Sequence, residues 1–248
     1  MKILRYKKLK SDKYQVELDN SNKIELYEDT ILKYELLLTK EIEESELENI
    51  LKYNDKFDAY YQALKYLNVR ARSKKEIRNY LKKKDYGNDI ISETVSKLES
   101  QGYLNDLGFG KSFLTNKLIT SSNGPLKIRR DLLQHELSEE NINMILEDYT
   151  DEMQIEKIEK QINRIIKSNR NKGNAYLRKK LYTELNNEGF KSSLIESKLK
   201  ELELEDDSDL AKKEYDKLYK KLSKKYSGQE LEFRINQKLY QKGFHYSK

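Results

Sequence analysis

Two histidines are the only imidazoles in the 248 residues, and cysteine is absent. The lack of thiols excludes disulfides, cysteine nucleophiles and zinc sites built on Cys. His135 lies two residues before Leu137 in a helix-patterned stretch, and His245 lies three residues from the end of the sequence. Neither has an activating partner at a recognisable spacing, so both read as surface residues. The acidic pairs Glu43/Glu44, Glu139/Glu140 and Asp206/Asp207 are the remaining groups able to bind a metal or move a proton. Glu139 and Glu140 follow Ser138 at an expected helix start, where negative charge suits the helix dipole, which is a structural role. Gly110-Lys111-Ser112 ends like a phosphate-binding loop. The Gly such a loop needs five residues before the Gly-Lys pair is Asn105, and no strand leads into it. The segment reads instead as a helix beginning after the turn GYLND. No catalytic, cofactor or metal site emerges.

Basic clusters are the other candidates. NVRARSKKEIRNYLKKK holds Arg70, Arg72, Lys74, Lys75 and Arg78; GPLKIRRDL holds Lys127, Arg129 and Arg130; NAYLRKKLY holds Arg178 and Lys179; Lys117 precedes the second cluster. Phosphate and carboxylate groups are the natural ligands of such residues. A solvated helix face is the alternative for any single Lys. The tyrosines of AYYQALKYL have helical spacing, which favours core packing over base stacking.

These clusters recur because the chain repeats. An apolar residue, a second four later and a third nine after the first occur as Ile77, Leu81, Tyr86; Ile128, Leu132, Leu137; Leu181, Leu185, Phe190; and Ile235, Leu239, Phe244. The first anchors are 51, 53 and 54 residues apart, a period of stacked helical units that cannot bury their apolar faces alone. In the first three copies a further apolar stripe follows: Ile91, Val95, Leu98; Ile142, Leu146, Tyr149; Ile195, Leu199, Leu202. Gly189 and Gly243 stand where a left-handed residue ends a helix, whereas Asp85 and Glu136 at that place predict a weaker stop. Amphipathic stretches at 60–67, 109–118, 158–166 and 210–222 precede the anchors. Each repeat is therefore three short helices, and the fourth ends after Phe244 without its third.

The expected architecture is mainly α, about three and a half tandem three-helix repeats forming an elongated curved array. Repeats are expected at 57–106, 107–154, 155–207 and 208–248, behind an accessory segment, 1–56. That segment alternates apolar and polar residues to residue 27 and predicts a small β-meander with a turn at Asp19-Asn20-Ser21-Asn22. Helices are expected at 28–38 and 45–53, the second with a Ser45/Glu48 capping box, and another box at Ser73/Glu76. Hydrophobic residues make up 36% of the chain and charged ones 37%, which suits thin helical modules better than one large core. No segment reads as a membrane span or a signal peptide, so the cytoplasm is the expected location. Net charge is +6 but uneven: residues 107–154 carry five Lys or Arg against eight Asp or Glu, whereas residues 208–248 carry eleven against five. This alternation predicts a partner of mixed charge rather than uniform DNA coating.

The run YQALKYLNVRARSKKEIRNYLKKK, then GYLNDLGFGKSFLTNK, then NGPLKIRRDLLQHEL resembles the RecX family, regulators of the RecA recombinase. The resemblance covers roughly 57–248 and departs from the family pattern at Gly110, where Ala is expected, and at Asp85 and Glu136. The N-terminal extension and fourth partial repeat resemble longer members from Gram-positive bacteria. The resemblance implies a non-enzymatic monomer, without cofactor or membrane contact, that lies along the groove of the RecA filament on single-stranded DNA. There it would hinder ATP hydrolysis and strand exchange, meeting the DNA weakly or through the filament. The competing reading is a protein that binds nucleic acid directly through its basic first and last repeats.

Overall fold

The computed structural model describes residues 1–10 and 12–245. Its two compact lobes, Met1–Ser112 and Phe113–Lys248, divide inside a helix. The first lobe opens with strands β1 (Ile3–Lys8), β2 (Lys13–Leu18) and β3 (Lys23–Tyr27) in an antiparallel meander. Val16 pairs with Tyr6 and Ile24, so Val16, Leu18 and Leu26 fall on one buried face. The expected turn at 19–22 forms: Ser21 takes a left-handed backbone, and the Asn22 amide donates to Asn20 Oδ1 at 3.0 Å.

Helices α1 (Glu28–Lys33) and α2 (Leu36–Thr39) replace the single helix expected at 28–38, because Glu35 between them is left-handed. The helices expected at 45–53 and 60–67 are in fact one, α3 (Leu47–Leu67). The Ser45/Glu48 box does not form; Glu46 occupies the N-cap and makes no side-chain bond. No Gly or Pro interrupts residues 47–67. The polar residues that look like a gap in the apolar stripe face the sheet instead. Asn54 Oδ1 accepts from the Tyr27 amide at 2.7 Å and the Thr30 hydroxyl at 3.2 Å, while its Nδ2 donates to Glu25 O at 3.1 Å. One amide side chain thus completes the outer edge of β3 in place of a fourth strand. One turn later, Asp58 accepts from Lys13 at 2.6 Å, from the Tyr27 hydroxyl at 2.8 Å and from the Tyr86 hydroxyl.

The first repeat adds α4 (Lys74–Lys82) and α5 (Asn88–Ser100) to α3, with Ala59, Ala63, Ile77, Leu81, Val95 and Leu98 at its centre. The Ser73/Glu76 capping box is present. Next come α6 (Asp106–Thr120), α7 (Pro125–Gln134) and α8 (Glu139–Glu147), then α9 (Asp151–Ser168), α10 (Asn174–Glu188) and α11 (Ser192–Glu201), then α12 (Ser208–Leu222) and α13 (Gly228–Gln241). Residues 246–248 of the fourth repeat lie outside the described residues.

All four second helices end alike. Asp85, Glu136, Gly189 and Gly243 are left-handed, with φ of 65°, 65°, 83° and 85°. The next residue donates back to the second anchor each time: Tyr86 to Leu81, Leu137 to Leu132, Phe190 to Leu185 and Phe244 to Leu239, at 3.0–3.4 Å. The stop expected to be weak at Asp85 and Glu136 therefore forms, with a side chain tolerated at a cost of roughly 1–2 kcal/mol. Glycine at the other two positions answers a second need. A Cβ on Gly189 would lie 2.6 Å from the Lys127 amide nitrogen, and one on Gly243 would strike the Tyr176 backbone. Across this approach the first amides of one second helix meet the last carbonyls of the next. Gly124 donates to Glu188 O at 2.7 Å and Leu126 to Gly189 O at 3.0 Å; Gly173 donates to Lys242 O at 2.9 Å and Ala175 to Gly243 O at 3.3 Å. Each joint satisfies backbone groups that helix ends leave open and sets opposite dipole ends together.

Three outcomes follow from this packing. Leu81→Ala or Leu132→Ala, each removing a fully buried side chain, should cost about 2–5 kcal/mol in denaturant unfolding. Gly124→Ala, whose Cβ would strike the Gly189 carbonyl, should cost about 1–3 kcal/mol and speed amide exchange at Leu126, whereas Gly108→Ala, which meets only ordinary contacts inside α6, should not. At Asp58, burial pushes the carboxyl up, but the hydrogen bonds from Lys13, Tyr86 and Tyr27 outweigh it and hold the group below the usual carboxylate range. A folded value below the unfolded one stabilises above the unfolded value, about 3.9, and that stabilisation is lost as pH falls through the folded value. Asp58→Asn should therefore lower stability at neutral pH and flatten its acid dependence, as read by urea midpoints across pH.

Candidate functional site

The predicted basic residues sort by what they touch. Arg70 and Arg72 both reach Glu76, at 2.5 Å and 3.5 Å, beside the N-terminus of α4. The Arg72 side chain is only 11% exposed, and its guanidinium lies 3.8 Å from the centre of the Tyr66 ring, which is itself stacked on Tyr80. Lys74 pairs with Glu99 at 2.5 Å and Asp106 at 3.3 Å, and the Glu99 hydrogen bond leads the effects that raise its pKa. Lys75 is half-buried and Arg78 exposed on the same helix. These five therefore gather around α4, and Arg70, Arg72 and Lys74 are engaged by carboxylates.

In the second lobe, Lys117 pairs with Asp131 at 2.9 Å and Lys127 with Glu188 at 3.1 Å. Arg129 binds Glu139 and Asn143 of α8. Arg178 donates to the carbonyls of Leu199 at 2.8 Å and Leu202 at 3.1 Å, where α11 ends. Arg78, Arg129 and Arg178 all stand five residues after the N-caps Ser73, Gly124 and Gly173. In the second and third repeats this position ties the second helix to the third. The next residue turns outward: Arg130 and Lys179 are exposed and, among the described residues, their side chains have no ion-pair or hydrogen-bond partner. The recurring basic motif thus divides into an inner arginine that holds the repeat and an outer cation open to a ligand.

Other surface features had only faint sequence signals. Lys212, Lys213, Lys217, Lys220 and Lys221 of α12 are exposed, the source of the positive charge read in the last repeat. Phe233 and Tyr240 of α13 are 68% and 72% exposed, seven residues apart and so on one helical face. Lys157 and Lys160 of α9 line a cleft that no motif marks. Gly110-Lys111-Ser112 lies within α6, as expected of a helix rather than a phosphate loop. Among the described residues no three His, Asp or Glu side chains converge to hold a metal, and no helix is long and apolar enough to cross a membrane. His135 packs edge-on against Phe113, and His245 is exposed. Such a surface can bind charged groups.

A family model described as RecX, first three-helix domain, matches residues 59–98. The chain is 30% identical over 239 residues to a regulatory protein RecX of Listeria monocytogenes, covering 95% of this chain and 88% of that one. It is 32% identical over 253 residues to a regulatory protein RecX of Streptococcus gordonii, covering 100% and 96%. A crystal structure of a regulatory protein RecX superposes with a TM-score of 0.68 at 26% identity, covering 79% of this chain and 97% of that one. RecX from Lactobacillus salivarius gives 0.56 at 27% identity over 60% and 97%. With its three-helix repeats, and with relatives at this identity along nearly their whole length, the chain belongs to the RecX family of regulatory proteins.

Proposed function

We propose that this protein is a cytoplasmic, monomeric regulator without enzymatic activity that binds the RecA filament on single-stranded DNA and lowers its ATP hydrolysis and strand exchange. The observation that carries this reading is the near full-length match to proteins named as regulatory protein RecX. The repeats support it physically. Modules at 57–106, 107–154, 155–207 and 208–248, each offering a few cations, suit a partner that itself repeats, because weak contacts held on one chain add. The candidate cations of these modules are not equal. Arg72, Lys74, Arg129 and Arg178 are committed to their own repeats. Arg130 and Lys179 are the ones whose side chains stand open to carboxylates or phosphates of a filament.

A second reading, direct binding to nucleic acid, is favoured by the row of exposed lysines on α12. Phosphate contacts would then dominate, and affinity for single strands would fall with salt at a log–log slope near −0.7 per contact.

The deciding assay is RecA ATPase on single-stranded DNA. Substoichiometric protein should lower the rate; no change at protein excess would refute the regulatory reading. The double variant Arg130→Glu with Lys179→Glu should inhibit less while keeping wild-type helicity and melting temperature, because neither side chain has a folded partner. Arg129→Glu should lower the melting temperature through loss of its α8 contacts. Inhibition that persists at salt abolishing binding to naked DNA separates filament binding from the second reading.

A further inference from the structure

A cleft of about 480 Å³ opens in the second lobe between the end of α6, the connection through Asn123, Lys127 of α7, the Lys157–Gln161 turn of α9 and Glu188 of α10. Three ammonium groups line it against one carboxylate. Glu188 pairs with Lys127 at 3.1 Å. Lys157 is half-buried, donates to the Ser121 carbonyl at 2.7 Å and lies 5.9 Å from the Tyr149 ring, with no carboxylate partner among the described residues. Lys160 pairs with Glu156 at 4.0 Å, and both side chains are more than 70% exposed, a geometry in which an ion pair contributes little. The cleft therefore carries positive charge that the protein does not neutralise.

A second observation points the same way. Asn123 is only 8% exposed and lines the cleft, yet its side-chain amide has no hydrogen-bond partner among the described residues. Its backbone is fully engaged: the amide donates to the Ser121 hydroxyl at 3.3 Å, and the carbonyl accepts from the Tyr149 hydroxyl at 3.1 Å. The backbone is thus fixed, and the side chain is left to line the cleft. Ser122 adds a half-buried hydroxyl, likewise unpartnered. Gln161 also lines the cleft, and its amide oxygen is buried without a partner. Of these groups Gln161 Oε1 is buried without a partner, a rare state for a polar atom, whereas the Asn123 amide and the Ser122 hydroxyl open onto the cleft and can donate to a ligand there.

We infer that this cleft is a phosphate-binding site, in which Lys157 and Lys160 supply charge and Asn123 and Ser122 supply neutral donors. A phosphate group satisfies all four, since its oxygens accept from ammonium, amide and hydroxyl at once. Burial, and after it the charge of Lys160, holds Lys157 below the ordinary lysine range, a penalty that a bound anion relieves. A nucleic-acid backbone and a free phosphate or nucleotide present the same chemistry of recognition.

The test is a 1H–15N titration of the full-length protein with inorganic phosphate at constant ionic strength, followed by ATP and by a short single-stranded oligonucleotide. Shifts should concentrate at residues 118–123 and 157–161, with chloride giving none. Lys157→Met should weaken phosphate about tenfold, and Lys160→Gln should weaken it measurably with the fold intact. Should Lys157→Met fail to fold, Lys160→Gln and Asn123→Leu carry the test. An oligonucleotide that shifts the same amides and displaces phosphate assigns the site to a nucleic-acid backbone, whereas response to phosphate or ATP alone assigns it to a free ligand. Shifts scattered over exposed lysines, or affinity unchanged in folded variants, would overturn the proposal. No recombinase is present in this titration, so its failure leaves the regulatory reading standing.

Discussion

The second lobe depends on a backbone contact between helix ends. Where α10 finishes, its carbonyls at Glu188 and Gly189 receive the first amides of α7, and the same exchange joins α13 to α10 through Gly173 and Ala175. A helix end exposes groups that must be satisfied somewhere, and here the ends of two repeats satisfy one another. Backbones approach this closely only if side chains stay out of the way, which puts glycine at 124, 173, 189 and 243 together. The anchors Leu181, Leu185 and Ile235 then pack beneath a junction whose register is already set by hydrogen bonds.

The first lobe meets a different constraint. A three-stranded meander leaves an open edge, and α3 closes it with Asn54 while Asp58 gathers Lys13, Tyr27 and Tyr86. Burial, and after it the Asp58 carboxylate, pushes the Tyr27 and Tyr86 hydroxyls far above the usual tyrosine range, so these two remain proton donors even in alkali that ionises a free tyrosine. Because α3 also supplies Ala59 and Ala63 to the first repeat, the sheet and that repeat share one helix. The accessory segment is thereby built onto the repeats rather than tethered beside them.

Charge has two roles in one motif. The inner arginines Arg129 and Arg178 secure neighbouring helices, and the outer Arg130 and Lys179 face solvent. A guanidinium suits the inner task because its fork of donors can satisfy two acceptors at once, as Arg178 does at the end of α11. Some of the chain's 37% charged residues brace the repeats in the same way, as Lys74 does between Glu99 and Asp106.

The amino-acid sequence by itself determined the repeat, its three-helix content, the anchors and the meander, because each is a periodicity of neighbouring residues that backbone geometry enforces locally. It also marked the helix stops at 85, 136, 189 and 243, though not that the two glycines among them serve contact between repeats as well as turning. Which basic residues remain open to a partner was not legible: Arg129 and Arg130 are neighbours of the same type, and only the position of α8 engages one and leaves the other. The same holds for the merged helix α3, since Asn54 and Asp58 look like a polar interruption until the sheet edge is beside them. The cleft around Asn123 and Lys157 assembles residues more than thirty positions apart, with no spacing to announce it. Local pattern therefore decided the elements, and tertiary structure decided the use of each polar side chain, because a donor's role depends on the acceptor that folding brings within about 3 Å of it.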